Sequence, residues 1–334
     1  MAINENYPIR DGLIVRRRRL EKAIASTPGN QRLEGLLHEV ESALERFDKG
    51  TYGLCDVCHE PIEPERLAAD PTICICLDHL STDEQRALED DLAVASQIQR
   101  GLLPEQEKRV MGWETAYYYE PAGLVSGDYC DLLSHGGSFY FTVGDVSGKG
   151  VSAAMLMTHL HATLRTLVFQ SLSLEKIMEQ ASRMFCESSL PSHFATLALG
   201  RANTDGDIDL CIAGHVPALI VQGPGIRRIE ATDLPLGMFC HGHFSVTQVH
   251  VDLGESVLLY TDGLSESLDP SGAEYGIDRV QTVFKATSHL PPQEIITACL
   301  ADLESFRSGT ARFDDLTLMV LRRSTTAAGK GARA

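Results

Sequence analysis

Phe139-Tyr140-Phe141-Thr142-Val143-Gly144-Asp145-Val146-Ser147-Gly148-Lys149-Gly150 decides the reading of the fold. An apolar and aromatic run ends on Gly-Asp and passes through a glycine-rich turn. A helical pattern follows from Val151 to Phe169. The spacing predicts strand, turn and helix, with the Asp145 carboxylate where the strand ends. Gly148-Lys149-Gly150 lacks the GxxxxGK[ST] frame of a nucleotide phosphate loop.

Outward from this segment the same texture repeats. Further strands are expected at Ala195 to Leu199, Ile208 to Ala213, Ser256 to Tyr260 and Leu316 to Leu321. Helices are expected at Leu174 to Glu187, Ile277 to Ala286 and Pro292 to Phe306. Helices grouped between many strands predict an α+β sandwich, not an alternating α/β sheet. Three more acidic spots stand out, the last two directly beside such a run: Ser126-Gly127-Asp128-Tyr129-Cys130-Asp131, Thr261-Asp262-Gly263 and Phe313-Asp314-Asp315-Leu316-Thr317. Each alone reads as a turn. Together, carboxylates beside flexible glycine can gather hard oxygen ligands around Mg2+ or Mn2+. Two such ions about 3.5–4 Å apart can share one carboxylate and activate water, the combination that phosphoester hydrolysis needs.

Upstream, helical stretches at Arg10 to Ser26 and Gln31 to Lys49 flank Thr27-Pro28-Gly29-Asn30, which predicts a helical hairpin. Leu33, Leu36, Leu37, Val40, Leu44 and Phe47 form its apolar stripe. Arg16 to Arg19 reads as a solvated helix face. A Cys-rich knot, Tyr52 to Leu80, pairs Cys55-x2-Cys58 with Cys76-x2-His79, a spacing that suits one tetrahedral Zn2+. Four protein ligands leave no open position, so this zinc is structural. Cys74 is the alternative ligand through Cys74-x-Cys76, a poorer chelate turn. Asp83 to Leu103 then predicts an amphipathic helix with the stripe Leu88, Leu92, Ala95, Ile98 and Leu102. The stripe suits pairing with a second copy of the chain, or packing on the domain that follows.

The chain has 334 residues, enough for about two domains. Acids outnumber bases by 46 to 29, and a net charge of -17 opposes binding to nucleic acid or an anionic membrane. No run approaches 18 apolar residues, and Met1 to Leu20 lacks the pattern of a secretory signal. The expectation is a cytoplasmic protein whose nine Cys are free thiols or metal ligands. The expected organisation is a hairpin with zinc finger over 1–82, a linker helix over 83–103, a catalytic domain over 104–323 and a disordered tail over 324–334.

Two resemblances sharpen this. Phe47-Asp48-Lys49-Gly50-Thr51-Tyr52-Gly53-Leu54-Cys55-Asp56-Val57-Cys58, with Pro61-Ile62 and Glu65-Arg66-Leu67, resembles the DksA/TraR zinc-finger family. Some members of that family enter the RNA polymerase secondary channel, so RNA polymerase or another regulator is an implied partner. Here the fourth ligand is His79 where the family often has Cys, and the hairpin turn lacks the acidic tip of polymerase-binding members. From Ala95-Ser96-Gln97-Ile98-Gln99-Arg100-Gly101-Leu102-Leu103-Pro104 to Phe313-Asp314-Asp315-Leu316-Thr317, collinear motifs resemble the SpoIIE/RsbU-type branch of the metal-dependent (2C-type, PPM) protein serine/threonine phosphatases. They include Ser126-Gly127-Asp128-Tyr129, Gly144 to Gly150, Phe194-Ala195-Thr196-Leu197, Ala213-Gly214-His215-Val216-Pro217 and Tyr260-Thr261-Asp262-Gly263-Leu264-Ser265-Glu266.

The second resemblance implies an αββα four-layer sandwich and two Mn2+ or Mg2+ ions. Asp145 is implied as the bridging ligand and Asp262 and Asp314 as ligands of one ion. Asp128 is implied for the second, with the Val146 carbonyl, and Asp315 as a weaker or outer ligand. Ser147 stands where eukaryotic relatives have a His, which leaves water or His215 as candidate general acid. The implied substrate is a phosphorylated regulatory protein, such as a STAS-domain anti-sigma-factor antagonist. A homodimer through the linker helix is the expected assembly.

Overall fold

The computed structural model describes residues 7–26, 29–189 and 192–324. Thr27 and Pro28 of the expected turn, and 325–334 of the expected tail, lie outside the described residues. The chain divides into two units, Met1–Asp91 and Leu92–Ala334.

In the first unit α1 (Tyr7–Ser26) and α2 (Gln31–Lys49) form the hairpin. Asn30 caps α2, its side chain accepting from the Arg32 and Leu33 N–H groups, and Gly50 closes it at φ 71°. Leu13, Val40, Ala43 and Leu44 are the buried seam, and the Phe47 and Tyr52 rings stack 3.7 Å apart below it. Buried Arg46 donates to the carbonyls of Thr72 (2.7 Å) and Ile73 (3.0 Å), which fastens the Cys-rich segment to α2. After the short α3 (Pro64–Ala69), a capping box starts α4 (Thr82–Leu102): Ser81 N–H donates to Glu84 Oε2 at 2.9 Å, and Glu84 N–H returns to Ser81 Oγ at 3.3 Å.

The second unit is a four-layer sandwich. One sheet has the order β1 (Glu107–Val110), β2 (Trp113–Glu120), β11 (Leu316–Arg323), β10 (Ser256–Tyr260), β7 (Ala218–Gln222), β8 (Gly225–Ile229). The other has β3 (Asp128–His135), β4 (Ser138–Val146), β5 (Ala195–Ala202), β6 (Asp207–Ala213), β9 (Thr247–His250). Strand alternation explains the layers, because successive side chains point to opposite faces. On β4, Phe139, Phe141 and Val143 enter the core between the sheets, while Tyr140 turns outward. There it meets α5 (Val151–Val168) and α6 (Leu174–Ser188). On β11, Met319 and Leu321 face the inner core, while Leu318 and Val320 pack with α8 (Ile277–Thr287) and α9 (Pro292–Arg307). Truncating fully buried Phe141 to Ala would cost about 3–5 kcal/mol. This is the α+β, αββα architecture expected from the sequence. No helix among the described residues is long and apolar enough to cross a membrane.

The cysteine expectation needs one correction. Cys186, in α6, is disulfide-bonded to Cys240, 54 residues away. The segment before β9 is laid on α6, with Gly237 N–H donating to Ser182 Oγ at 3.2 Å, and the two Cα atoms come within 5.3 Å. Such long-range pairing leaves no trace in local spacing. Cys130, Cys211 and Cys299 are buried free thiols.

Candidate active site

Strand register assembles the carboxylates. Asp128 opens β3 and faces Asp145 of β4 across the antiparallel ladder. Asp262 opens the short α7 (Asp262–Ser265) directly after β10, and Asp314-Asp315 lead into β11, the neighbour of β10. Two glycines permit the close approach. A Cβ on Gly127 would lie 2.8 Å from the Val146 carbonyl oxygen and 3.1 Å from Asp145 Oδ1; one on Gly263 would lie 1.9 Å from the Asp315 carbonyl oxygen.

The electrostatics show that these groups share one site. Burial, then the charges of Asp262, Asp314 and Asp315, push Asp145 up to about 8, with Lys149 opposing. Burial and Asp314 likewise raise Asp262. Asp128 is 1% exposed, and burial followed by the Asp145 charge lifts it well above the usual carboxylate range. Its Oδ2 accepts from Thr261 Oγ1 at 2.9 Å and Thr317 Oγ1 at 2.5 Å. Asp315 is differently engaged: Oδ1 accepts from Ala122 N–H (2.7 Å), and Oδ2 from Ser126 Oγ (2.7 Å) and Gly127 N–H (2.9 Å). Those bonds anchor the 122–127 segment.

Lys149 is the cation beside the group. Its Nζ lies 3.2 Å from Asp314 Oδ2 and donates to the Phe313 carbonyl. A cleft of about 470 Å3 adjoins it, lined in part by Leu124, Val151, Phe313 and Asp315. Ser147, which stands where eukaryotic relatives have a His, and His215, the candidate general acid among the side chains, are both engaged by neighbours. Ser147 exchanges hydrogen bonds with Phe194, its Oγ accepting from the Phe194 N–H and its N–H donating to the Phe194 carbonyl, both at 2.9 Å. His215 Nδ1 lies 2.9 Å from Thr196 Oγ1, and burial lowers the imidazole to about 4, so it is neutral near pH 7. His193 had no sequence signal; its Nε2 lies 4.0 Å from where a Gly148 Cβ would stand.

The donor set fits hard divalent cations: oxygen only, crowded, and half-buried, with Lys149 to offset it. In the first unit the ligand atoms of Cys55, Cys58, Cys76 and His79 lie within 4.8 Å of one another, and Cys74 is outside the quartet. Cys58 and Cys76 Sγ are 3.8 Å apart and Cys76 Sγ is 3.2 Å from His79 Nδ1. A tetrahedron with Zn–S bonds of about 2.3 Å has an edge of about 3.8 Å. Burial raises the Cys55 thiol, but backbone hydrogen bonds from Cys58, Cys76 and Val57 outweigh it and bring it down to about 6. Burial and its two Cys neighbours push Cys76 up to about 11.

The model of the family described as Stage II sporulation protein E (SpoIIE) matches residues 135–324. Protein IcfG of Synechocystis is 27% identical over 264 residues, covering 70% of this chain and 42% of IcfG. The phosphoserine phosphatase RsbU of Bacillus subtilis is 24% identical over 245 residues, covering 72% of each. The chain thus spans less than half of one of these relatives. Among solved structures, the PP2C domain of SiaA from Pseudomonas aeruginosa superposes with a TM-score of 0.64 at 18% identity, over 72% of this chain and 98% of that domain. The RsbU and RsbW domains of a Mycobacterium tuberculosis protein superpose at 0.57 with 27% identity, over 68% of this chain and 63% of that one. The matched family model covers more than half of the sequence and the fold is that of PP2C domains, so the chain belongs to the SpoIIE family of PP2C-type phosphatase domains.

Proposed function

We propose that the chain is a Mn2+- or Mg2+-dependent phosphoprotein phosphatase that hydrolyses phosphoserine or phosphothreonine on a regulatory protein of the STAS-domain type. The observation that carries this reading is the convergence of Asp128, Asp145, Asp262 and Asp314 from four separate segments on one site. Asp145 is central, with Asp128 opposite it on β3 and Asp262 and Asp314 pressing on it from the other sheet. Asp145 would therefore be shared between two ions, one held also by Asp262 and Asp314 and the other by Asp128 and the Val146 carbonyl. Bound Mn2+ or Mg2+ supplies positive charge toward the phosphoryl oxygens and lowers the pKa of water.

The remaining residues position and balance charge. Thr261 and Thr317 fix the rotamer of Asp128, and Asp315 fixes the 122–127 segment. Lys149 is the chain's own cation for a phosphoryl group once Asp314 is engaged. The apolar wall of the neighbouring cleft, Leu124, Val151 and Phe313, suits the side chains that flank a phosphorylated residue. Neutral, buried His215 carries no acidic imidazolium proton to give near pH 7, so the leaving group takes its proton from water.

The Cys55, Cys58, Cys76 and His79 quartet is read as a structural Zn2+ site in a DksA/TraR-like module that binds a regulator. Exposed Ile98, on the outer side of α4, suits a second copy of the chain as partner. The direct test is phosphate release from a phosphorylated STAS-domain protein with and without Mn2+. Release that needs Mn2+ supports the reading; equal release in EDTA overturns it.

A further inference from the structure

Gln99 sits on α4, a helix whose apolar stripe offered Ile98 as the natural inward residue. The structure reverses them: Ile98 is 59% exposed and Gln99 is 4% exposed. Burying an amide is costly unless all its groups are bonded. Gln99 meets that condition on one residue, with Nε2 donating to the Ser126 carbonyl at 2.9 Å and Oε1 accepting from the Ser126 N–H at 3.1 Å. The side chain thus pairs with Ser126 as a neighbouring strand would.

Ser126 leads directly into the carboxylates. Its Oγ donates to Asp315 Oδ2 at 2.7 Å and accepts from the Asp128 N–H at 3.0 Å. The next residue, Gly127, accepts from the Val146 N–H at 3.2 Å, beside Asp145. One fixed peptide therefore sets the backbone on which Asp128 enters β3 and against which Val146 rests.

We infer that Gln99 is a positioning residue, which locks the Ser126-Gly127-Asp128 backbone in the register that lets Asp128 and Asp145 hold a divalent cation. The inference rests on the proposed role of those two carboxylates. It makes the C-terminal half of α4 a structural part of the metal site. A shift of this helix that parts Gln99 from Ser126 lowers metal affinity without touching a carboxylate.

The test uses the full chain and reads Mn2+ affinity by titration calorimetry, not only turnover. Gln99→Ala removes both hydrogen bonds; Gln99→Glu keeps the size but turns the donor into an acceptor facing the Ser126 carbonyl. Each weakens Mn2+ binding by about tenfold or more. Gln97→Ala, at an exposed neighbour on the same helix, leaves it unchanged. Amide hydrogen exchange on the metal-free wild type is independent of how the variants fold, and it shows Ser126 N–H protected relative to Gly123 and Leu124. Wild-type Mn2+ affinity in both Gln99 variants, or a Ser126 amide that exchanges as fast as those neighbours, overturns the inference. A wild type that binds Mn2+ with Ser126 protected, yet releases no phosphate from phosphoprotein, overturns the proposed function and leaves the role of Gln99 standing.

Discussion

Asp128 and Asp145 stand directly opposite each other on β3 and β4, and the Asp145 charge adds to burial in making Asp128 harder to ionise. Two carboxylates in this position destabilise a metal-free fold and bind cations for the same reason. Asp145→Asn should therefore raise the melting temperature of the EDTA-treated protein. The same change should remove most of the stabilisation that Mn2+ gives wild type, which at 100 times Kd amounts to about 2.7 kcal/mol. Differential scanning calorimetry with and without Mn2+ checks both halves; a mutant stabilised by Mn2+ as much as wild type counts against the bridging role.

Lys149 offers a second handle. Metal bound at Asp314 would free its ammonium to face substrate. Lys149→Ala should lower kcat/KM for a phosphoprotein by about tenfold, the range of one charge-assisted hydrogen bond, and Lys149→Arg should recover part of it. Steady-state kinetics at saturating Mn2+ decides. An unchanged kcat/KM for the Ala variant would leave Lys149 as a surface ion pair with Asp314.

The Cys55, Cys58, Cys76 and His79 quartet makes a separate prediction. Its own core is small, built on Cys55, Ile62 and Cys76, so a bound zinc would supply much of its folding free energy. Purified protein should carry one zinc per chain by elemental analysis. Cys55→Ser should lose it and expose the Arg46 region to proteolysis, while Mn2+-dependent phosphatase activity persists. Absence of zinc from the wild type would refute the module.

His215 predicts an acid limit. Its folded pKa is depressed to about 4 against about 6.5 unfolded, so only the unfolded chain takes up the proton between those values. Its contribution is complete above about pH 6.5 and is lost as pH falls toward 4, by up to about 3 kcal/mol. Urea denaturation of metal-free protein across this window should show a steeper loss for wild type than for His215→Asn. Parallel pH profiles would show that His215 is not buried neutral.

The sequence exposed the layers because alternation on strands such as β4 and helical spacing on α5 are local signals. It also exposed the carboxylates, of which Asp128, Asp145 and Asp262 lie beside glycine. Strands β2, β3 and β7 were not among the runs read from the sequence, nor were the shorter β1, β8 and β9, whose burial is partial and is set by neighbours in the sheet. Gln99 was hidden because hydropathy pointed to Ile98, and only the Ser126 peptide makes a buried amide favourable. The Cys186–Cys240 pair and the hydroxyls of Thr261 and Thr317 depend on contacts between distant segments, for which one sequence gives no local sign.

The most direct measurement is phosphate release from a phosphoserine protein during a Mn2+ titration of wild type and Asp145→Asn side by side. The account predicts release by wild type that rises and saturates with Mn2+, and a loss of at least about a thousandfold in the mutant at every Mn2+ concentration. Comparable turnover by Asp145→Asn, or wild-type turnover that ignores Mn2+ and persists in EDTA, would contradict it.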